Sequence, residues 1–187
     1  MSVDEVVRIF GVPERVELAE GIVVRRYVEE DIAPLVDVVN ANLEHLKPWM
    51  PWAQEPQTVE QQLDWFRESD RGWADGTNYV YGIFDADGRI IGGSGFHIRN
   101  GPGVLEIGYW LAADAVGKGI ITRVTEALTA VAGGLDDVTR VEIHCDVGNV
   151  RSSAVPRRLG YTLVRTEPRE IVAPGETGTH EIWSITV

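Results

Sequence analysis

The chain has 187 residues, of which 44% are hydrophobic and 25% charged, with a formal net charge of −12. That size and balance suit one globular domain with a sizeable core, and no apolar run reaches the length needed to span a bilayer. The acidic surface repels phosphate backbones, which argues against nucleic acid as a partner and for a cationic one, although charge of this size also serves solubility alone.

Residues 1–187 read as a single domain with an N-terminal extension over 1–20. Met1 to Phe10 carries Asp4 and Glu5 and lacks the basic start and apolar middle of a signal peptide, so a cytoplasmic location is expected. Cys145 is the single cysteine, which rules out an internal disulfide. The four histidines have no ligand spacing, so no metal is expected.

Ile22 to Tyr27 is apolar and β-branched and reads as a strand. Asp31 reads as the N-cap of a helix with Pro34 in its first turn. Ile32, Leu35, Val36, Val39 and Leu43 form one helical stripe, ended by Pro48 and Pro51. A Trp-rich turn follows, Lys47 to Ala53. A second helix is expected from about Thr58, with Val59, Leu63 and Phe66 inward. Tyr79 to Phe84 and Arg89 to Phe96 flank the turn Asp85-Ala86-Asp87-Gly88 as a hairpin. Val104 to Leu111 is a further strand, and the helix after Gly119 has Ile120, Val124, Leu128 and Val131 on its inner face. Val138 to Cys145 is a strand and Asn149 to Leu159 a helix. Tyr161 to Thr166 and Glu181 to Val187 are the last strands. Middle strands joined by hairpins and later ones by helices predict an α/β (α+β) domain, one mixed sheet with helices on both faces.

The densest signal is Glu106-Ile-Gly-Tyr-Trp-Leu followed by Val116-Gly-Lys-Gly-Ile-Ile-Thr122. Gly117 and Gly119 let backbone amides approach a ligand, and the helix that follows offers unpaired N–H groups and a partial positive charge. This suits a diphosphate, with Lys118 adding charge. A tight turn that binds nothing has the same pattern.

These two segments, with Asn149-Val-Arg-Ser152-Ser-Ala-Val-Pro-Arg-Arg-Leu-Gly-Tyr161 and the turn Leu46-Lys-Pro-Trp49-Met-Pro-Trp52, resemble the GNAT acetyltransferase superfamily. The resemblance is to its RimJ/RimL-like branch, which includes ribosomal-protein N-terminal acetyltransferases. It covers about Gly21 to Val187. It implies the GNAT fold, a mostly antiparallel sheet of about seven strands in which Val104–Leu111 and the strand from Val138 splay apart at a bulge near Gly108. Acetyl-CoA as co-substrate is implied in that gap. Backbone groups of Tyr109, Trp110 and Leu111 pair with its pantetheine arm, and amides of Val116, Gly117, Lys118, Gly119, Ile120 and Ile121 hold its diphosphate. Many relatives carry Gly or Ala where this chain has Ile121. A homodimer is also implied.

Acetyl transfer to an amine requires a proton to leave the amine, the tetrahedral intermediate to be stabilised, and the sulfur to leave. Glu106 is the first candidate base, since burial beside Val104 and Leu105 raises a carboxyl pKa. It serves equally well as the partner of a nearby Arg or Lys. Asn149 reads as a helix N-cap for the Ser152 amide. The resemblance adds that Asn149 contacts pantetheine and that Ser152 lies near the sulfur as a proton donor. Pro156 stands where many relatives have a tyrosine as general acid. Either Ser152 takes that part or the thiolate leaves unaided. Pro156 also predicts a kink or early end to its helix. Glu170 is a weaker acid candidate near the amine. Trp49 and Trp52 are candidates for an acceptor groove, with Trp65 and Trp73 nearby. His97 and His144 read as structural, and Cys145 as buried. The resulting reading is transfer to a protein N-terminal amine. The alternatives are a small amine acceptor, or acyl-CoA binding without turnover.

Overall fold

The computed structural model describes residues 8–187, so the reading of Met1–Val7 lies outside the described residues. Among them, eight strands form one sheet in the order β1-β2-β3-β4-β5-β6-β8-β7. The strands are β1 (Arg15–Glu17), β2 (Val23–Arg26), β3 (Asn78–Phe84), β4 (Ile90–His97), β5 (Val104–Leu111), β6 (Arg140–Asp146), β7 (Thr162–Pro168) and β8 (Thr179–Thr186). The helices are α1 (Ile32–Ala41), α2 (Leu43–Leu46), α3 (Val59–Asp75), α4 (Ile120–Ala132) and α5 (Val150–Arg158). Every neighbouring pair is antiparallel except β5 and β6.

The added strand is β1, which falls inside the segment read as an extension. Its Val16 pairs with Val24, and nearby the Tyr81 hydroxyl donates to the Pro13 carbonyl at 2.6 Å. Ile9 is fully buried, so the stretch before residue 20 contributes to the core.

Two apolar clusters cover the two faces. Val124, Leu128 and Ala132 of α4 pack with Leu105, Ile107, Val141 and Ile143 on one. Ile32, Leu35 and Val39 of α1 pack with Tyr27, Phe84 and Ile90 on the other. The hairpin turn forms as its sequence predicts: Gly88 has φ 77°, and its N–H donates to the Asp85 carbonyl at 2.9 Å.

Three local expectations are corrected. Asp31 does not cap α1 through its side chain. A 3₁₀ turn, Glu29–Asp31, precedes the helix, and Asp31 accepts from the Val28 amide at 2.8 Å and from Arg25 at 2.7 and 2.8 Å. The first helix stops at Ala41, before either proline. Asn42 leaves helical geometry, its Nδ2 donating to the Val38 carbonyl and its Oδ1 accepting from the Ala113 amide, both at 2.8 Å. Val59 is exposed, whereas Leu63 and Phe66 pack partly against the core as expected, and Ser69, Gly72 and Trp73 are the fully buried residues of α3.

α3 starts where expected, and Thr58 caps it, accepting from the Gln61 amide at 3.3 Å while Gln61 Oε1 accepts from the Thr58 amide at 3.0 Å. Thr58→Ala should lower unfolding free energy by about 1 kcal/mol, read from the urea midpoint at unchanged slope.

Candidate active site

The site is built by a parallel pair that stops early. β5 and β6 pair only over Val104↔Arg140, Leu105↔Val141 and Glu106↔Glu142. β5 then continues five residues and β6 four, open toward each other. No bulge at Gly108 produces this: the register of β5 on β4 is unbroken from Glu106 to Leu111. Strand divergence opens the wedge. The Ala112 amide donates to the Ile91 carbonyl at 2.9 Å in that same register. By the alternation of an antiparallel ladder, Trp110 and Gly108 then bond to β4, while Tyr109 and Leu111 present their backbone groups to the wedge.

Beyond the end of β5, a 3₁₀ turn, Ala113–Ala115, leads to the glycine loop. Gly117 has φ 82° and Gly119 φ 70°, and a Cβ at either would meet open space. Gly119 is the N-cap of α4, and the amides of Gly117, Lys118 and Gly119 take no hydrogen-bond acceptor among the described residues. The first amides of α4 have no partner within the helix either. Lys118 is exposed, whereas Ile120 is buried and Ile121 packs partly against the core. An exposed row of free amides without overlying side chains fits a diphosphate.

The wedge opens onto a cavity of about 600 Å³, large enough for a small-molecule substrate. Trp49, Trp52, Trp110, Glu106, Asn149 and Ser152 all reach it, although they lie far apart in the sequence. Trp52 is exposed and meets Trp110 edge-on at 5.7 Å. The Trp110 indole lies across Gly93, where a Cβ would come within 2.5 Å of Nε1. Trp65 also lines the cavity, edge-on to Tyr27 at 5.8 Å, whereas Trp73 is buried and donates to the Val80 carbonyl. Glu170 does not arrive: it is exposed in the segment after β7 and stands outside the cavity. Glu176 lines it instead, its carboxylate capping the amides of Val172 and Ala173 at 2.7 and 3.1 Å.

Glu106 is buried, with a side chain only 4% exposed. Burial pushes its pKa up, but the expected rise is reversed. Hydrogen bonds and charge from Arg99, the charge of His144 and a bond from Asn100 at 2.9 Å bring it below the ordinary 4.5. The carboxylate is therefore ionised and held by its partners. Its stabilising contribution is complete above the ordinary glutamate value and is lost as pH falls through the lowered native value. Acid unfolding of Glu106→Gln, followed by circular dichroism below pH 4.5, should be less steep than that of the parent.

His144, on β6, faces Glu106 across the start of the wedge. Its Nε2–H donates to Glu142 Oε2 at 2.8 Å, since a carboxylate can only accept. Nδ1 is buried, has no hydrogen-bond partner and lies 3.6 Å from Glu106 Oε2. His97 is held in place, its Nδ1 bonded to Asn78 Oδ1 at 2.9 Å. Burial pushes the Cys145 thiol up to about 12, consistent with an inert core residue.

On the other side of the wedge, Asn149 Oδ1 accepts from the Ser152 amide at 3.2 Å, the cap read from sequence. Helix α5 continues through Pro156 and stops two residues later at Arg158. The Tyr109 hydroxyl donates to the Ser152 carbonyl at 3.0 Å and accepts from Ser152 Oγ at 3.2 Å. Arg99, Asn100, Glu142, Glu176 and the Tyr109 side chain were not singled out by sequence reasoning. The one available signal was the placement of Arg99 and Asn100 in the turn facing Glu106.

Residues 22–162 match the Acetyltransferase (GNAT) domain family. The chain belongs to the GNAT acetyltransferase family. It is 31% identical over 148 residues to the Bacillus subtilis protein named Putative ribosomal N-acetyltransferase YdaF, covering 76% of this chain and 78% of that one. It is 28% identical over 155 residues to the Ribosomal-protein-serine acetyltransferase of Escherichia coli, covering 80% and 84%. Among solved structures, the microcin C7 self-immunity acetyltransferase MccE, in complex with acetyl-CoA and AMP, superposes with TM-score 0.85 at 23% identity over 94% of this chain and 97% of that one. That likeness establishes the GNAT fold, with eight strands here instead of about seven. Among the described residues of this GNAT chain, no helix is long and apolar enough to cross a membrane, and no group of three or more His, Cys, Asp or Glu is arranged to hold a metal ion.

Proposed function

We propose that this GNAT protein transfers the acetyl group of acetyl-CoA to the primary amine of a protein N-terminus, by direct attack within a ternary complex. The observation that carries this reading is the wedge between β5 and β6, with free amides at one end and the Glu106–His144 cluster at the other. The two curated relatives, both named for ribosomal acetylation, support the choice of acceptor.

The chain's own residues divide the work. Amides from Gly117 to Ile121 hold the diphosphate, and backbone groups of Tyr109 and Leu111 align the pantetheine arm beside Asn149; the Val116 amide is taken by the Ala113 carbonyl and the Trp110 backbone by β4. Trp49 and Trp52 wall the acceptor side, where an ammonium rests against aromatic faces and the ionised Glu106. Glu106 draws off the proton, with His144 held behind it by the Nε2–H bond to Glu142. The freed amine pair forms the new N–C bond as the carbonyl π pair moves to oxygen. The C=O bond then re-forms, the C–S bond breaks with sulfur keeping that pair, and the second proton leaves nitrogen and ends on the thiolate as thiol. Ser152 Oγ, which rests with its proton on the Tyr109 oxygen, turns that proton to the departing sulfur. The balance is ammonium plus thioester giving amide, thiol and one proton. Holding amine and thioester together supplies much of the acceleration.

The test is a matched acceptor panel read by mass spectrometry: a peptide with a free N-terminus, the same peptide N-blocked but carrying an internal lysine, and small amines. Acetylation of the free peptide alone is the expected result. Acetylation of the small amines alone would replace this acceptor reading.

A further inference from the structure

We propose that the Tyr109 hydroxyl substitutes for the backbone N–H that Pro156 lacks, making Tyr109 the positioning residue for Ser152. The inference rests on the reading of Ser152 as the group beside the sulfur.

In an α-helix the residue at 156 donates its N–H to the carbonyl of residue 152. Proline has no such hydrogen, and its ring crowds that carbonyl. Pro156 lies inside α5 and is buried, so water does not easily replace the lost donor. The carbonyl nevertheless has a partner: the Tyr109 hydroxyl, at 3.0 Å, delivered from β5 across the wedge. The same phenol oxygen accepts from Ser152 Oγ at 3.2 Å. One phenol therefore fixes both polar ends of Ser152, its carbonyl by donation and its hydroxyl by acceptance. Among the described residues these are the only side-chain hydrogen bonds joining α5 to β5. Burial drives the Tyr109 pKa far upward, so the phenol stays neutral and keeps its donor.

The arrangement also accounts for how this chain carries a proline where the helix would otherwise present a donor. The proline and the tyrosine form one unit, and the consequence of removing the hydroxyl depends on what stands at 156.

A double-mutant cycle of Tyr109→Phe and Pro156→Ala tests this, because the alanine restores the N–H. Tyr109→Phe alone removes both hydrogen bonds to Ser152 and should lower kcat about tenfold, with KM for acetyl-CoA and for peptide within about twofold. In the Pro156→Ala background the same substitution should cost markedly less, at least about threefold less by the coupling usual for residues in contact. Equal losses in the two backgrounds, or no loss in either, overturn the proposal. The melting-temperature cycle on the same four proteins must show the same coupling. It reads the clamp without turnover, so an inactive parent would refute the acceptor assignment while the clamp is still judged. Should Tyr109→Phe not fold, recovery of folding by Pro156→Ala supports the proposal and continued failure overturns it.

Discussion

Replacing Glu106 with glutamine should lower kcat for acetyl transfer by about 10²-fold, the lower range for losing a group that handles a proton, while leaving acetyl-CoA affinity within about twofold. Glutamine keeps the shape and the acceptor oxygen but carries no charge. The carboxylate is the site's buried negative pole, tied by Arg99 and Asn100 at the point where β5 and β6 separate. Its loss removes the attraction for an ammonium and the partner facing His144 Nδ1. Steady-state rates at saturating acetyl-CoA check this, and an unchanged kcat would reassign Glu106 to holding the turn at Arg99 and Asn100. Arg99 is largely exposed and remains solvated in the variant, so the loss should fall on turnover rather than on folding.

The second large effect is expected at Gly119. Gly119→Val should weaken acetyl-CoA binding by roughly 10- to 100-fold, the worth of one or two charge-assisted hydrogen bonds. Two causes act together. At φ 70° a β-branched residue is strained by about 1–2 kcal/mol, which deforms the start of α4. No protein atom lies within 4 Å of the new Cβ, so the side chain projects into the open space beside the amides proposed to hold the diphosphate. The helix has its own packing through Val124 and Leu128 and should persist, which circular dichroism checks. The two substitutions therefore separate binding from chemistry: one should move affinity and the other kcat.

Much of this architecture was legible because it is local. Val104–Leu111 and the glycine loop were read within a residue of their bounds, since strand period and glycine spacing are properties of adjacent residues. The cap at Asn149 and the start of α3 near Thr58 were legible for the same reason. What escaped depends on contacts distant in sequence or on competition between neighbours. β1 is three residues long and is a strand only because β2 pairs with it. The Asp31 carboxylate turned to Arg25 because an ion pair outweighed the cap. The lowered pKa of Glu106 depends on Arg99 folding back over it, and burial alone points the other way. Glu170 and Glu176 share the loop between β7 and β8, and only Glu176, fastened to the Val172 and Ala173 amides, lines the cavity. Pro156 was legible as a lost donor, but its replacement, Tyr109, stands 47 positions earlier on another element.

The measurement that bears most directly on the wedge and its amide row is a calorimetric titration of acetyl-CoA into the parent and into Gly119→Val, with ATP as a control. One-to-one binding by the parent, sharply weakened in the variant and not reproduced by ATP, is the predicted result. No heat of binding in the parent, or equal affinity in both proteins, would contradict the assignment of this wedge as the acetyl-CoA site.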